Sequence, residues 1–427
     1  MNAKLDIIII GAGFCGITVA ASLKNFGIDN FIVIEKGETV ATIWKNAYDR
    51  LVTQNPYFTL PFFEGKEKYS TFKTKDEIVD YLTEYAHHFQ VDSHIRFGEE
   101  VQNISKTDNQ NQTDCNWQIE TTKDILYCNI LVICTGPTNE PVIPKFFRQE
   151  DFSGTIIHSS AYQNGIPYQN QKVLVVGSGN SAAEIALDLY EHGAARVDML
   201  IRGKRWVFPL YPRLRSLQYW LWRSRSYFKQ LFNQYTTDSK IAAMERAIDF
   251  SPEELQADIK ETDKFIQRFA LDLSAYSIYP EDKGAMDMEV NQGRVAWVDR
   301  GTVKQIKKGN IQVISNSIQQ LTQTGVIFAN GVTQDYDAII LSTGFRPGIN
   351  KLLRQPELYL NLNDSLLPNT DGKCQSIVDA TLYFVGFEKT ASRSATYGYY
   401  GWCTGKRIAF QLMEKQLLSR QKLKILF

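Results

Sequence analysis

An excess of either charge is missing from the 427-residue sequence: 47 Lys and Arg face 47 Asp and Glu, so the formal net charge is zero. A chain whose main partner is nucleic acid carries a basic excess or a basic face, and that class is set aside. Cysteine is sparse: Cys15, Cys115, Cys128, Cys134, Cys374 and Cys403 stand apart with no C-x-x-C among them, and no His pair has a zinc-ligand spacing. These absences argue against a dithiol redox centre, disulfide staples and a structural metal, and point to a reduced, cytoplasmic protein. Long apolar runs are also missing. The run Ile7 to Ile10 falls far short of the ~20 residues of a membrane span. It lacks the basic flank and cleavage site of a signal peptide. No repeat or low-complexity segment is present, and no Ser-His-Asp set or paired carboxylates can be nominated.

What is present is an ordinary globular composition, 44% apolar and 22% charged, with length for two or three domains at ~150 residues each. Leu5 to Ile10 reads as a strand buried on both faces. Gly11-Ala12-Gly13-Phe14-Cys15-Gly16 follows, then a helix-compatible stretch to Phe26 closed by Gly27, then a second strand, Phe31 to Ile34, ending at Glu35. In G-x-G-x-x-G the first glycine permits the tight turn, the second lets backbone approach a pyrophosphate, and the third lets helix and strand pack closely. The helix N-terminus offers free N–H groups and its positive dipole end to phosphate. Glu35, 24 residues after Gly11, is placed to accept hydrogen bonds from an adenosine ribose.

The pattern returns 166 residues later: strand Lys172 to Val176, then Gly177-Ser178-Gly179-Asn180-Ser181-Ala182, a helix to about His192, and strand Val197 to Ile201 ending at Arg202. A guanidinium in place of Glu35 can pair with a 2′-phosphate that a carboxylate would repel, so the second unit reads as an NADPH site, with Lys204 and Arg205 adding charge. Between and after these units, residues 75–89 read as an amphipathic helix. Val101 to Ile104, Trp117 to Thr121 and Ile125 to Tyr127 read as antiparallel strands, and Ile130 to Cys134 as a separate buried one. Two turns, Cys134-Thr135-Gly136 and Ser342-Thr343-Gly344, mark strand ends. Residues 302–341 read as short strands, followed by strand Leu382 to Phe387 and a helix from about Gly405. The stretch 203–285 is aromatic and basic first, with no Asp or Glu between Met199 and Asp238, and then helical from Ser251-Pro252. Lys204 to Lys229 reads as a packed helix face, with peripheral contact to a membrane surface as the alternative.

Between the two glycine turns lies Phe152-Ser153-Gly154-Thr155-Ile156-Ile157-His158-Ser159-Ser160-Ala161-Tyr162, or F-x-G-x-x-x-H-x-x-x-Y. This resembles the signature of the flavin-containing monooxygenases, class B flavoproteins related to Baeyer–Villiger monooxygenases and to the plant YUCCA-type enzymes. Tyr162-Gln163 is closer to the nitrogen- and sulfur-oxygenating version than to the Baeyer–Villiger one. Trp44 to Leu51, Tyr69 to Tyr85, Arg202 to Trp206, Asp337 to Phe345 and Leu382 to Phe387 resemble further family segments. Val40-Ala41-Thr42, where the family often has Gly-Gly, departs from it. So do Cys134 and Ser342 at places where Ala is usual, and so does the Tyr-rich segment Lys389 to Trp402.

The resemblance implies an α/β protein of two Rossmann-like, three-layer dinucleotide-binding domains, the second inserted into the first. The boundaries it suggests are 1–151 and 331–427 for FAD, and 152–330 for NADPH with a helical insertion at about 210–285. Gly11, Gly13, Phe14, Cys15, Gly16, Glu35, Lys36, Trp44, Thr135, Gly136, Thr343, Gly344 and Phe345 would serve the flavin nucleotide. Gly177, Ser178, Gly179, Asn180, Ser181, Ala182 and Arg202 would serve the nicotinamide one. Asn180 or Ser181 would lie near the nicotinamide ribose, Asn55 near the reacting flavin, and His158 would coordinate the two domains. The implied reaction joins NADPH, O2 and a small organic substrate through a flavin hydroperoxide. It would oxygenate an amine nitrogen or a sulfide, or, as in the YUCCA type, oxidatively decarboxylate an aryl 2-oxo acid. A reductase or oxidase without oxygen transfer is the remaining alternative. A homodimer is expected.

Overall fold

The computed structural model describes residues 4–53, 60–63, 65, 69, 72–107, 115–210, 252–363, 366–387, 401 and 403–414. Asn55, the segment Lys389 to Trp402 and residues 211–251 of the basic aromatic stretch and insertion lie outside them, apart from Gly401. Two units are built, one from residues 1–45, 55–140 and 346–427, the other from 46–54 and 141–345.

The first unit centres on a sheet of strands Leu5–Ile10 (β1), Phe31–Ile34 (β2), Ile95–Arg96 (β3), Val101–Lys106 (β4), Trp117–Thr121 (β5) and Ile125–Ile133 (β6), in the order β3-β2-β1-β6-β5-β4. β1 lies parallel to both β2 and β6. Ile7, Ile8 and Ile9 have no exposed surface, so the uniformly apolar run is that of a strand covered on both faces. β6 is continuous where the sequence suggests two strands with a break near Asn129. Its first half is antiparallel to β5, and its second half runs parallel to Leu382–Phe384. The alternating half and the fully buried half therefore belong to one strand that changes neighbours.

The helix Phe14–Asn25 (α1) covers this sheet with small residues, and the C-terminal helical turns meet it closely. A Cβ on Gly401 would lie 2.0 Å from Thr18 Oγ1, and one on Gly405 2.6 Å from Ser22 Cβ. The helix Lys75–His88 opens with a capping box, in which Thr74 and Glu77 satisfy each other's backbone N–H. Its tyrosines reach the preceding loop: Tyr81 Oη accepts from the Leu60 N–H (2.7 Å) and donates to the Phe63 carbonyl (3.0 Å).

The second unit has a five-stranded parallel sheet in the order Ile311–Ile314, Arg196–Leu200, Lys172–Val176, Ala338–Leu341, Thr155–His158. Ala338–Leu341 is fully buried at its centre. The sequence-based boundary at 331 assigns this strand to the first domain; its register against Lys172–Val176 and Thr155–His158 places it in the second sheet. Thr302–Lys307 is a helix rather than the strand expected there, burying Val303 and Ile306. A separate antiparallel sheet is formed by Ile318–Leu321, Gly325–Phe328 and Thr333–Asp335. The described part of the insertion holds the helix Pro252–Ile266, with Pro at its first position as its sequence suggests, and the helix Ala285–Gln292 begins where the expected insertion ends.

Candidate dinucleotide sites

In the first unit the glycines of the 11–16 turn have three separable tasks. Gly11, at φ +100°, turns the chain off β1 so closely that a Cβ would lie 2.8 Å from the Cys134 carbonyl oxygen. Gly16 sits where α1 crosses the turn, and a Cβ there would lie 1.8 Å from the Gly11 carbonyl oxygen. Gly13 has neither constraint. Its φ is −82°, and a Cβ would meet nothing within 4 Å. It is also the N-cap of α1, with no side chain capping the first turn. The space at its Cβ position is open, so there is room for an anion beside the helix N-terminus.

The other predicted residues of this unit group around that turn. Glu35 is buried and accepts from the Ala12 N–H on Oε2 (2.8 Å) and from the Gly37 N–H on Oε1 (2.9 Å). It therefore braces the glycine turn, and a carboxylate's roughly four acceptor positions leave two for a ligand hydroxyl. Thr135 N lies 3.5 Å from the Cβ position of Gly11, and the buried Thr135 hydroxyl has no hydrogen-bond partner. Gly136 follows at φ +76° with open space around it. Phe14 and Trp44 meet edge to face at 5.9 Å. Cys15 is buried and in no disulfide, and Lys36 is exposed, with Nζ on Asn139 Oδ1 (3.1 Å).

The second unit repeats this construction. A Cβ on Gly177, at φ +151°, would lie 2.3 Å from the Ser342 carbonyl oxygen, just as Gly11 meets Cys134. Gly179 is the uncapped N-cap of the helix Asn180–Glu191, at φ −87°, with nothing within 4 Å of its Cβ position. Ala182 replaces the third glycine and is fully buried. The Ser342 hydroxyl, like that of Thr135, is buried without a partner. Thr343, Gly344 and Phe345, expected to serve the flavin domain, thus belong to the turn beside the second cradle.

His158 holds that turn. Its Nε2–H donates to the Gly344 carbonyl (3.1 Å), and its Nδ1 accepts from the Ser160 N–H (3.1 Å), so the ring is the neutral Nε2–H tautomer. Phe345 packs on it edge to face at 4.9 Å. Burial lowers its pKa, against a weaker opposite effect of the Gly344 carbonyl. These are all partners within the second unit. Tyr162, the last residue of the same motif, donates to Asp188 Oδ2 (2.7 Å) on the cradle helix.

Asn180 and Ser181, at the start of the cradle helix, have partners within the second unit. The Asn180 amide donates to the Ala296 carbonyl (2.9 Å) and accepts from the Val298 N–H (2.8 Å), stitching a neighbouring strand to the helix. Burial and Glu184 raise the Tyr48 pKa, and Ser181 acts in the opposite sense. Tyr48 donates to Glu184 Oε2 (2.6 Å), and Arg300 faces Glu184 Oε1 at 3.5 Å while donating to the Thr53 carbonyl (2.8 Å). Burial raises the Glu184 pKa, opposed by Tyr48 and Arg300. This buried set escapes sequence reading because the three segments that supply it lie more than a hundred residues apart.

Arg202, directly after the strand Arg196–Leu200 and Ile201, is exposed as expected. Arg205 reaches back to the glycine turn, donating from Nη2 to Ser178 Oγ (3.1 Å). Arg294 joins them: its Nη2 lies 3.9 Å from the Cβ position of Gly203. No local motif announces it.

Residues 8–271 match the pyridine nucleotide-disulphide oxidoreductase family. The chain belongs to that family. Within it, the flavin-containing monooxygenases are its kin. The probable indole-3-pyruvate monooxygenase YUCCA3 of Arabidopsis thaliana is 29% identical over 395 residues, 90% of this chain and 82% of that one. Two solved structures share the fold at lower identity. OTEMO in complex with FAD and NADP aligns with a TM-score of 0.70 at 19% identity, over 97% of this chain and 86% of that one. A flavin-containing monooxygenase from Stenotrophomonas maltophilia aligns at 0.63 and 14%, over 96% and 100%. None of the six cysteines is joined in a disulfide. A pyrophosphate fits each cradle of this family member on its own evidence: an uncapped helix end, a glycine with room above it, and an unpartnered hydroxyl on the adjoining turn.

Proposed function

We propose that this oxidoreductase binds FAD at the 11–16 cradle and NADPH at the 177–182 cradle, and transfers one atom of O2 to a small organic substrate. The observation that carries the reading is the pair of open N-caps, Gly13 and Gly179, each the one glycine of its turn that packing does not require. Gly11, Gly13, Glu35, Thr135 and Gly136 would hold the flavin nucleotide; Gly177, Ser178, Gly179, Ser342 and Arg202 would hold the nicotinamide one. When bound, the cofactors supply the redox chemistry, hydride from NADPH and activation of O2 at the flavin. The protein's part is to bind, orient and exclude water. His158 secures the Gly344 turn as a neutral donor. Asn55, outside the described residues, is proposed to hydrogen-bond near the reacting flavin.

Two substrate classes stand. The Tyr162-Gln163 ending of the motif favours an amine or a sulfide. The relatives favour an aryl 2-oxo acid: several proteins named indole-3-pyruvate monooxygenase match at 26–29% identity over most of the chain. We take the second as the better supported. Its balance is 2-oxo acid plus O2, NADPH and a proton giving the carboxylic acid one carbon shorter, CO2, water and NADP+. The test is product analysis with 18O2 on the flavin-loaded protein. One CO2 and one labelled carboxylate per NADPH support the 2-oxo acid, and a labelled N- or S-oxide the other class. Hydrogen peroxide equal to all NADPH consumed with every substrate defeats oxygen transfer.

A further inference from the structure

The turn 202–205 carries three cations, yet two acidic residues from a distant segment stand among them. Lys204 Nζ is paired with Asp282. Arg294 Nη2 lies 2.7 Å from Glu281 Oε1, an ion pair without hydrogen-bond alignment, and 3.5 Å from the Lys204 carbonyl. The Glu281 side chain is only 13% exposed, while that of Asp282 is 83% exposed. Arg205 is committed to Ser178 Oγ and the Val295 carbonyl. Burial and then the charge of Arg294 lower its pKa; Glu281 acts in the opposite sense. Four cations at the turn, Arg202, Lys204, Arg205 and Arg294, thus face two carboxylates, and the less exposed one sits against Arg294. A phosphate approaching this turn meets an arginine already neutralised.

We propose that Glu281 is a specificity-determining residue of the second cradle: its carboxylate occupies Arg294 beside the Arg202 turn and limits the preference for a 2′-phosphorylated dinucleotide. This rests on the reading that the 177–182 cradle takes the nicotinamide nucleotide. Glu281→Gln keeps an oxygen acceptor for Arg294 and removes the charge. The charge of Asp282 is screened by water, so its removal has less effect on a phosphate.

The test is calorimetric titration of flavin-loaded protein with 2′,5′-ADP and with 5′-ADP, at two salt concentrations, with a thermal melt for each variant. Glu281→Gln is expected to bind 2′,5′-ADP at least fivefold more tightly at low salt, with a steeper salt dependence and with 5′-ADP affinity within twofold of wild type. Asp282→Asn is expected to stay within twofold for both. The double variant E281Q/R294Q should lose the gain and return to within about threefold of wild type, since the freed guanidinium is gone. Unchanged or weaker 2′,5′-ADP binding by a folded Glu281→Gln overturns the proposal. So does a double variant as tight as the single one, which also decides the matter should either substitution alone lower the melting temperature. Wild-type protein that binds 2′,5′-ADP no better than 5′-ADP would instead sink the assignment of the cradle to NADPH.

Discussion

Gly179→Ala separates binding from folding more cleanly than any other change. At φ −87° and ψ −177° alanine is unstrained, and its methyl would have no neighbour within 4 Å. Alanine is a poorer N-cap than glycine by ~0.5–1 kcal/mol. Against this, reduced freedom of the unfolded chain returns ~0.4–1 kcal/mol. The net change in stability is then under ~1 kcal/mol, or a few degrees in melting temperature for a domain of ~150–250 residues. The methyl does fill the open space at the helix N-terminus. Forcing an extra carbon into a fitted contact costs ~1–3 kcal/mol, which is a roughly 5- to 150-fold loss of affinity. Gly13→Ala should do the same to flavin at the other cradle. Gly16→Ala, whose Cβ would lie 1.8 Å from the Gly11 carbonyl oxygen, should unfold the first unit instead. Melting must be compared without ligand, because binding itself stabilises the native state. The measurements are flavin content of the purified protein, NADP+ affinity by calorimetry, and apoprotein melting. Gly179→Ala should keep its flavin and lose NADP+ affinity. Were it to bind NADP+ as tightly as wild type with unaltered melting, the open N-cap would not be where the pyrophosphate rests.

Three further outcomes are expected. Arg202→Ala removes an exposed cation with no partner among the described residues. A charge-assisted contact contributes ~1.5–3 kcal/mol, so kcat/KM for NADPH should fall by roughly 10- to 150-fold while that for NADH stays level, as steady-state kinetics will show. Arg300→Leu leaves the Glu184 carboxylate, 2% exposed, without its ion-pair partner and with only the weaker charge of Arg50. Breaking such a buried pair costs ~3–5 kcal/mol, and adding Glu184→Gln should recover part of it in denaturant melts. His158 has a folded pKa lowered by burial from its ordinary 6.5, so the native state binds fewer protons than the unfolded one. Its contribution is complete above about pH 6.5 and is lost as pH falls through the folded value. His158→Gln should melt lower than wild type at pH 8 and close part of that gap at pH 5; a gap independent of pH would contradict a neutral, buried imidazole.

Both glycine turns and their flanking strands were legible because their determinants are local: an apolar run, a fixed glycine spacing and a strand-end charge within about thirty residues. What depended on distant partners was not. The strand Ala338–Leu341 looks the same in sequence whichever sheet it joins, and only pairing with Lys172–Val176 and Thr155–His158 decides. Ile125–Ile133 reads as two strands because its two halves see different surroundings. The place of Asn180 in the motif does not reveal that backbone 116–118 residues away hydrogen-bonds its side chain. Arg294 and Glu281 meet the 202–205 turn from some eighty residues downstream without any motif of their own.

The three glycine positions of the motif therefore carry different kinds of information. The first is imposed by the protein itself: in both units its Cβ would strike the carbonyl of the turn that ends another strand, Cys134 in one and Ser342 in the other. The third is negotiable. Gly16 is required because the Gly11 carbonyl lies against it, whereas Ala182 is accommodated, fully buried, in the second unit. Only the middle glycine is not required by packing, and its advantage over alanine as an N-cap is ~0.5–1 kcal/mol. A glycine that costs backbone entropy, sits at an unstrained φ and has open space at its Cβ position is well suited to a ligand that closes over it. That two such positions occur, each at an uncapped helix end with an unpartnered hydroxyl on the adjoining turn, is the strongest physical ground for two phosphate-bearing ligands.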